Sequence, residues 1–336
     1  MRCRRGHNPV LLQRKESMEL SDDFIAMRRL GEVSKKLCEP ESLNSVWHDP
    51  AHGEPMPSLE SLKEIMERLR VALFPGFYGS TRIWRESIGY HVSANLDSIY
   101  RKLAEQIKRG FCFACEGNDL CTDCEQRGKE CALQLMDQLP EIRRQLVGDA
   151  EAAYDGDPAA TSPGETIFCY PSMHAIINHR IAHVLYECNV PLIPRIINEM
   201  AHSRTGIDIH PGASIGENFF IDHGTGVVIG ETCIIGDNCR LYQGVTLGAL
   251  SFRKNDDGTL VKGVPRHPIL GNNVTVYAGA NILGRIRVGD GAVIGGNVWV
   301  TSDVPAGAKL TQSRAHRDKV AKNEGQVTRE DGAVEK

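Results

Sequence analysis

Two regions of the chain differ in the spacing of their apolar residues. Between about residues 58 and 204, apolar residues recur at intervals of three and four, as on one face of a helix. One such set is Leu62, Ile65, Met66, Leu69 and Leu73, and a second is Met173, Ile176, Ile177, Ile181, Val184, Leu185 and Cys188. Pro140 suits the first turn of another helix, which carries Ile142 and Leu146. We therefore predict an α-helical domain over residues 58–204.

From about residue 206, every sixth residue is aliphatic or small and apolar. The first run is Ile209, Ile215, Ile221, Val227, Cys233, Cys239 and Val245, and the second is Leu270, Val276, Ile282, Val288, Ile294 and Val300. A period of six fits neither a helix nor an alternating strand and is typical of a parallel β-helix with three short strands per coil. Stacked coils then bury one continuous column. We predict such a β-helix over residues 205–311, and so an α+β chain.

The two runs are out of phase, because Val245 and Leu270 are not separated by a multiple of six. Part of the chain must therefore leave the coil between them. The polar, turn-forming composition of this stretch identifies residues 249–266 as an extruded loop. Outside the two domains, we predict a partly ordered N-terminal extension over residues 1–57 and a polar C-terminal tail over residues 312–336.

The charge balance of the chain excludes some classes of partner. A formal net charge of −4 gives no electrostatic basis for binding nucleic acid or a membrane surface. No apolar run approaches the ~18 residues of a membrane span, and the N-terminus lacks the apolar core and cleavage site of a signal peptide. We expect a cytoplasmic protein with neither nucleic acid nor a membrane as partner. Its 11 cysteines should then be mostly reduced.

Five cysteines lie in one short segment, FCFACEGNDLCTDCEQRGKEC, over residues 111–131. Two CxxC pairs are formed by Cys112 with Cys115 and by Cys121 with Cys124, and Cys131 follows them. Four thiolates at this spacing suit tetrahedral zinc or an iron–sulfur cluster. We predict a structural metal site with these four ligands, in an insert of the helical domain, and leave Cys131 as the spare. A redox-sensing set of thiols is the alternative.

Two histidines have neighbours that suit proton transfer. His223 follows Asp222 in IDHGTGVVIGET, and His267 ends the predicted loop in VPRHPIL. Imidazole can accept a hydroxyl proton near neutral pH, and a carboxylate partner fixes its tautomer. Asp208 precedes His223 by a little less than one coil of about 18 residues. We therefore predict that Asp208 and His223 approach each other across adjacent coils, with Glu231 nearby.

The run DIHPGASIGENFFIDHGTGVVIGE, from Asp208 to Glu231, resembles the signature of the serine acetyltransferases among the hexapeptide-repeat acyltransferases. Further segments that agree are GDP at 156–158, MHAIINHRIAH after it, TLG at 246–248 and RHP at 266–268. The resemblance covers about residues 150–305. It implies a left-handed parallel β-helix. It also implies transfer of an acetyl group from acetyl-CoA to L-serine, giving O-acetyl-L-serine in the first step of cysteine biosynthesis.

The resemblance implies roles for the residues that match its catalytic positions. His223 would be the general base for the serine hydroxyl, with Asp208 orienting it. His267 would hold the serine carboxylate or assist the reaction, and Arg266 would add positive charge.

Other matching positions would bind the two substrates. Asp157 and Asp222 would bind the serine ammonium group, and Glu231 would support the site. Ala278 and Gly279 would line a groove for acetyl-CoA between neighbouring chains.

The resemblance also implies an assembly and a regulator. The family forms homotrimers, often paired into hexamers through the helical domain, and L-cysteine inhibits it in the serine site. Its complex with cysteine synthase uses a C-terminal isoleucine, whereas this chain ends in Glu335 and Lys336. We therefore do not expect that complex.

Three other functions stay open on the residues alone. One is a hexapeptide-repeat acetyltransferase that acts on a sugar or amino sugar. A second is a γ-type carbonic anhydrase, with His210, His223 and His267 as zinc ligands between subunits. The third is a scaffold without catalysis. His210, beside Asp208, could equally be a packing residue.

Overall fold

The computed structural model describes residues 22–44, 46–48, 51–115 and 121–312 of the chain. The chain divides into two compact units, Met1–Asp49 and Pro50–Lys336. The described residues of the first unit form two helices, α1 (Asp22–Leu37) and α2 (Pro40–Leu43), neither of which has a buried residue. The apolar spacing did not predict α1. The first residues of the predicted extension and nearly all of the predicted tail lie outside the described residues.

The second unit begins with helices. After a 3₁₀ turn at Ala51–Gly53 come α3 (Leu59–Leu73), α4 (Ile88–Ala114), α5 (Cys121–Gly156), α6 (Pro163–Cys169), α7 (Pro171–Glu187) and α8 (Ile193–Thr205). The hydroxyl oxygen of Ser58 accepts a bond from Ser61 N at 3.2 Å and so caps α3. Gly206, at φ 71°, ends α8 in the left-handed conformation. The five predicted apolar positions of α3 are all buried.

Pro140 does not begin a helix, as the sequence predicted, but lies inside α5. A proline inside a helix removes one backbone hydrogen bond. The buried side chains continue on both sides of it, from Leu135 and Leu139 to Ile142 and Leu146. Packing of this face therefore outweighs the lost bond.

Short strands follow the helices. They are β1 (Asp208–Ile209), β2 (Ser214–Ile215), β3 (Phe220–Ile221), β4 (Val228–Ile229), β5 (Ile234–Ile235), β6 (Arg240–Leu241), β7 (Thr246–Gly248), β8 (Ile269–Leu270), β9 (Thr275–Val276), β10 (Asn281–Leu283), β11 (Arg287–Val288), β12 (Val293–Ile294), β13 (Trp299–Val300) and β14 (Lys309–Leu310). They form three parallel sheets, β1-β4-β7-β10-β13, β2-β5-β8-β11 and β3-β6-β9-β12-β14. The chain therefore visits three sheets in rotation, as the six-residue period predicts.

The strand register corrects one part of the sequence analysis. Ile209 pairs with Ile229, and Ile229 pairs with Leu247. The first step is therefore two residues longer than the second, and the extra residues lie in the turn between β3 and β4. Most repeats bury two positions, such as Val227 and Ile229, which are both below 2% exposed. The first six-residue run therefore follows one of these positions as far as Ile221 and the other position from Val227 onwards.

The predicted loop leaves the sheets close to its expected bounds. Strand β7 ends at Gly248 and β8 begins at Ile269. Inside the loop, Lys254 and Leu260 form an isolated antiparallel bridge. The loop therefore returns as a small hairpin, and the residues after it reach the start of β8.

A buried ion pair joins the helices to the sheets. Arg180 of α7 contacts Asp149 of α5 at 2.8 Å, and both side chains are at most 5% exposed. Asp149 also accepts the backbone N–H of Phe219 at 2.8 Å, and Arg180 donates to the carbonyl of Gly216 at 2.8 Å. These bonds fix the end of α5 against the turn between β2 and β3. Among the described helices, none has the length and apolar character needed to cross a bilayer.

Candidate active site

The turn between β3 and β4, residues 222–226, carries the first candidate base and is called the His223 corner. Its two extra residues project the imidazole, whose side chain is 72% exposed. His223 has φ 56°, and Gly224 has φ 89°. A Cβ on Gly224 would lie 2.5 Å from Ile207, so only glycine fits there. His223 Nε2 lies 3.8 Å from Asp222 Oδ1.

Asp157 follows α5 and belongs to the same group. Its Oδ1 accepts the backbone N–H of Ala159 at 2.8 Å, and its Oδ2 accepts the hydroxyl of Tyr170 at 2.5 Å. The bond from Tyr170 is the largest cause that lowers the pKa of Asp157, and the charge of His223 lowers it further. Asp157, Asp222 and His223 thus form one acidic group around an exposed imidazole. Sequence analysis missed Tyr170, which gives no signal beyond its place before a proline.

The end of α5 is placed by residues of the sheets. Arg240 of β6 donates to the carbonyl of Gly156 at 3.4 Å, and its guanidinium lies 5.7 Å from the ring centroid of Phe220 in β3. A Cβ on Gly156 would lie 2.8 Å from both side chains. The close approach of helix and sheet therefore needs glycine here and sets the position of Asp157.

A second group, called the Arg266 group, joins Glu231 of the turn between β4 and β5 to Arg266 and His267, which end the loop before β8. Arg266 forms an ion pair with Glu231 at 2.7 Å. Burial opposes ionisation of Glu231, but the bond and charge of Arg266 outweigh it and the pKa of this carboxyl is lowered. Tyr186 of α7 also donates to Glu231, at 3.3 Å. Sequence analysis missed Tyr186.

His267 is held in one protonation state. Its Nδ1 accepts the backbone N–H of Thr232 at 3.0 Å, so the proton of the neutral ring lies on Nε2. Burial and the charge of Arg266 lower the pKa of His267 to about 4. Arg285 donates to the carbonyls of Thr232 and His267 at 2.6 and 3.0 Å. The Arg266 group therefore offers one guanidinium, paired with Glu231, and a neutral N–H donor.

Asp208 does not pair with His223 in the described part of the chain. It lies on β1, where its backbone pairs with Val228 of β4, and its side chain is partly exposed. The only ion pair of His223 among the described residues is with Asp222. The charge of Asp208 instead raises the pKa of His210, although burial is the largest effect there and lowers it. Asp222 is therefore the carboxylate best placed to orient His223 within one chain.

The two groups occupy different corners of the coil. The His223 corner precedes β4, and Glu231 follows β4. Within the described residues, no hydrogen bond or ion pair joins His223 to Arg266 or His267. One chain thus presents an acidic group with a base at one edge and the Arg266 group, with its guanidinium and neutral N–H donor, at the next.

Ala278 and Gly279 lie on the same edge as the His223 corner. Three glycines stack there: a Cβ on Gly226 would lie 3.6 Å from Gly244, and a Cβ on Gly244 would lie 3.5 Å from Gly279. The carbonyl of Ala278 accepts the N–H of Asn297 at 2.9 Å. Three stacked glycines therefore expose backbone along this edge, next to the Asn297 side chain, which would lie 2.3 Å from a Cβ on Gly279.

The predicted metal ligands are only partly brought together. Cys115 and Cys124 lie in one group of potential ligands, and the third member is His52 rather than Cys112. Cys112 is buried on α4, and the side chain of Cys121 lies outside the described residues. Cys131 is elsewhere, with its Sγ 4.0 Å from the carbonyl of Cys188.

Comparison with known sequences identifies several relatives. No protein-family model matches the chain. The protein named "Serine acetyltransferase, plasmid" of Synechococcus elongatus is 50% identical over 268 residues, which are 79% of this chain and 84% of the relative. A serine acetyltransferase of Helicobacter pylori is 46% identical over 165 residues, which are 49% of this chain and 91% of the relative.

Solved structures agree. Serine acetyltransferase 1 of Entamoeba histolytica in complex with L-cysteine has a TM-score of 0.65 and 37% identity, covering 87% of this chain and 99% of the other. Isoform 3 of the same organism, in complex with cysteine, has a TM-score of 0.63 and 34% identity, covering 89% and 98%. Together with the long match to the Synechococcus protein, these likenesses show that the chain belongs to the serine acetyltransferases.

Proposed function

We propose that the chain transfers the acetyl group of acetyl-CoA to the hydroxyl of L-serine, at a site where the His223 corner of one copy meets the Arg266 group of another. The observation that carries this proposal is the placement of an acidic, base-bearing group and an arginine-bearing group on two different edges of one coil. A cyclic trimer juxtaposes two such edges at every interface. The single chain holds both halves but does not join them.

The charges of the two groups fit a zwitterionic acceptor. Serine carries an ammonium group and a carboxylate. Asp157 and Asp222 supply negative charge beside His223, and Arg266 with the Nε2–H of His267 supplies donors for the carboxylate. Glu231 fixes Arg266 by its ion pair. The hydroxyl of a serine held at both ends then lies between them, within reach of the exposed imidazole.

The chemistry needs a base more than a nucleophilic residue, since a thioester is already activated. His223 accepts the hydroxyl proton as the serine oxygen attacks the thioester carbon. The new C–O bond forms, the C–S bond breaks, and His223 returns its proton to the departing thiolate of CoA. Asp222, and Asp208 once the interface is formed, stabilise the imidazolium. The glycine edge that includes Ala278 and Gly279 lets the pantetheine arm run along bare backbone.

Three finer features belong to the same proposal. The six-residue period and the resemblance of the motifs support a left-handed coil. They also support a homotrimer, or a dimer of trimers built through the helical domain. L-Cysteine differs from serine only in its thiol, so it suits the same charged groups and acts as an inhibitor there. A metal held by the cysteine-rich segment is proposed as structural.

The decisive experiment mixes two variants, each of which damages one half of the site, and measures turnover at low serine concentration. His223→Ala removes the base and lowers turnover by about 10²- to 10⁴-fold, and Arg266→Ala weakens serine binding. When the two variants are co-refolded in equal amounts, about a quarter of the interfaces contain both intact halves. About a quarter of wild-type turnover therefore returns. Turnover that stays at the level of the separate variants would place the site within one chain. A parallel assay of L-serine against amino sugars tests the alternative acceptor: turnover restricted to amino sugars would overturn the proposed reaction.

A further inference from the structure

Three side chains with metal-binding atoms meet at the junction of α4 and α5, away from the candidate active site. They are His52, Cys115 and Cys124, and their ligand atoms all lie within 4.8 Å of one another. His52 Nε2 is 3.5 Å from Cys115 Sγ. His52 lies in the 3₁₀ turn, Cys115 at the end of α4 and Cys124 in the first turn of α5. The three side chains come from separate segments, so tertiary folding brings them together.

The backbone of His52 is held in a conformation that histidine rarely adopts. Its φ is 68° and its ψ is 7°, in the left-handed region that costs a non-glycine residue about 1 kcal/mol or more. The residues after it are tied to α4: Glu54 pairs with Lys108 at 2.6 Å, and Ser58 N donates to Gln106 Oε1 at 2.6 Å. These two bonds hold the turn against the helix and keep the imidazole beside Cys115.

The two helices approach closely enough to bring their cysteines together. A Cβ on Gly128 of α5 would lie 2.7 Å from the carbonyl oxygen of Ala104 and 3.0 Å from the N atom of Lys108 in α4. Only glycine permits this spacing. Cys124, one turn before Gly128, is 3% exposed. The thiols thus lie near the ends of two closely packed helices.

We propose that this group binds one Zn²⁺ ion through His52 Nε2 and the thiolates of Cys115 and Cys124. Imidazole and thiolate are the ligands that structural zinc prefers, at about 2.0–2.3 Å from the ion. A mixed nitrogen and sulfur set favours zinc over a cubane cluster, which is held by thiolates. Binding releases the two thiol protons to solvent. A water molecule or a further protein donor completes the tetrahedron.

The ion is structural. Helix α5 runs from Cys121 beside this group to Gly156 beside Asp157. At 1.5 Å per residue, its two ends are roughly 50 Å apart. Zinc therefore pins the turn of His52 to the hairpin and takes no part in acetyl transfer. Its loss lowers thermal stability and leaves the KM for serine unchanged.

The test begins with the wild-type full-length chain. We expect about one zinc per chain by elemental analysis after purification under reducing conditions. Removal by a chelator and reloading with Co²⁺ gives the intense visible absorption of a tetrahedral thiolate site. Wild-type chain that takes up neither ion overturns the proposal, as does iron in place of zinc. These measurements need no variant and so do not depend on how any variant folds.

Variants then identify the ligands. His52→Ala, Cys115→Ser and Cys124→Ser should each weaken zinc affinity at least ~10-fold, whereas His52→Cys, which restores a ligand, keeps it. Cys169→Ser is the matched control, because Cys169 is an exposed cysteine on α6. His52→Ala with wild-type zinc affinity would remove His52 from the ligand set. Acetyl transfer measured on the same variants separates this result from the proposed reaction, which does not require the ion.

Discussion

The hydroxyl of Tyr170 donates a hydrogen bond to Oδ2 of Asp157 at 2.5 Å, and so joins the end of α5 to the start of α7. The pKa of Asp157 is lowered chiefly by this bond. Burial and the same bond raise the pKa of Tyr170. The pair therefore keeps one carboxylate ionised and one phenol neutral at the edge of the His223 corner.

Loss of this hydroxyl should weaken serine binding more than it slows transfer. Tyr170→Phe leaves Asp157 without its strongest partner, so its carboxylate is less well fixed against the serine ammonium. We expect the KM for L-serine to rise about tenfold, the equivalent of one charge-assisted hydrogen bond, with kcat changed less. Steady-state assays with Tyr154→Phe as control check this, since Tyr154 is a partly exposed tyrosine on α5. A fall in kcat at constant KM would contradict the role given to Asp157.

A single methyl group should displace His267. A Cβ on Gly230 would lie 2.1 Å from the imidazole of His267, and the ring must move away from Thr232. Misplacement of a substrate-binding group by about 1 Å can cost ~10²-fold in rate, so we expect Gly230→Ala to lower kcat/KM for serine by about that factor. Gly89→Ala on α4 is the control, because no atom lies within 4 Å of its added Cβ. Equal activity of the two variants would mean that His267 does not hold the substrate.

Apolar periodicity predicted the parts of the fold that burial determines. The spacings of three and four gave α3 and α7, and the spacing of six gave strands that pair in rotation. These predictions hold because the side chains that one face of an element buries recur at a fixed interval in the sequence. The apolar spacing did not predict helix α1, because this helix has no buried residue. The continuation of α5 through Pro140 was not predicted, because packing along α5 outweighs the low helix propensity of proline.

The candidate site was less accessible to sequence, because its parts meet only through tertiary structure. Asp222 and His223 are neighbours in the chain, so their proximity was readable, whereas the bond between Tyr170 and Asp157 was not. The extra residues of the His223 corner explain why the six-residue count moved to another buried position. His52 gave no signal, since it lies some sixty residues before the cysteines that it joins.

The buried ion pair between helices and sheets should dominate stability. Asp149→Asn leaves Arg180 buried with reduced compensation, and breaking such a pair costs about 3–5 kcal/mol. We expect a clear fall in Tm by calorimetry. Glu217→Gln is the matched control, because its pair with Arg144 at 2.6 Å also joins α5 to the sheets but is about half exposed. That variant should leave Tm nearly unchanged. Comparable falls in Tm in both variants would show that burial does not determine how much these ion pairs stabilise the fold.

Buried histidines should make the fold sensitive to mild acid. Burial lowers the pKa of His174 to about 3 and of His267 to about 4, and it lowers that of His179 well below its ordinary value, with help from His183 and Arg180. Unfolding releases these rings to a pKa near 6.5, so the unfolded chain binds more protons below that pH. Their contribution to stability is complete above about pH 6.5 and is lost as the pH falls towards 4.

Urea unfolding at several pH values measures this loss. One histidine kept neutral only in the folded state contributes a slope of at most about 1.4 kcal/mol per pH unit below pH 6.5. His179→Gln removes one such ring and should flatten the dependence of the free energy of unfolding on pH, whatever its effect on stability at pH 7.5. His202→Gln, at an exposed position on α8, should retain the wild-type slope. A slope that His179→Gln leaves unchanged would mean that this imidazole is already protonated in the folded chain, so that the acid sensitivity arises elsewhere.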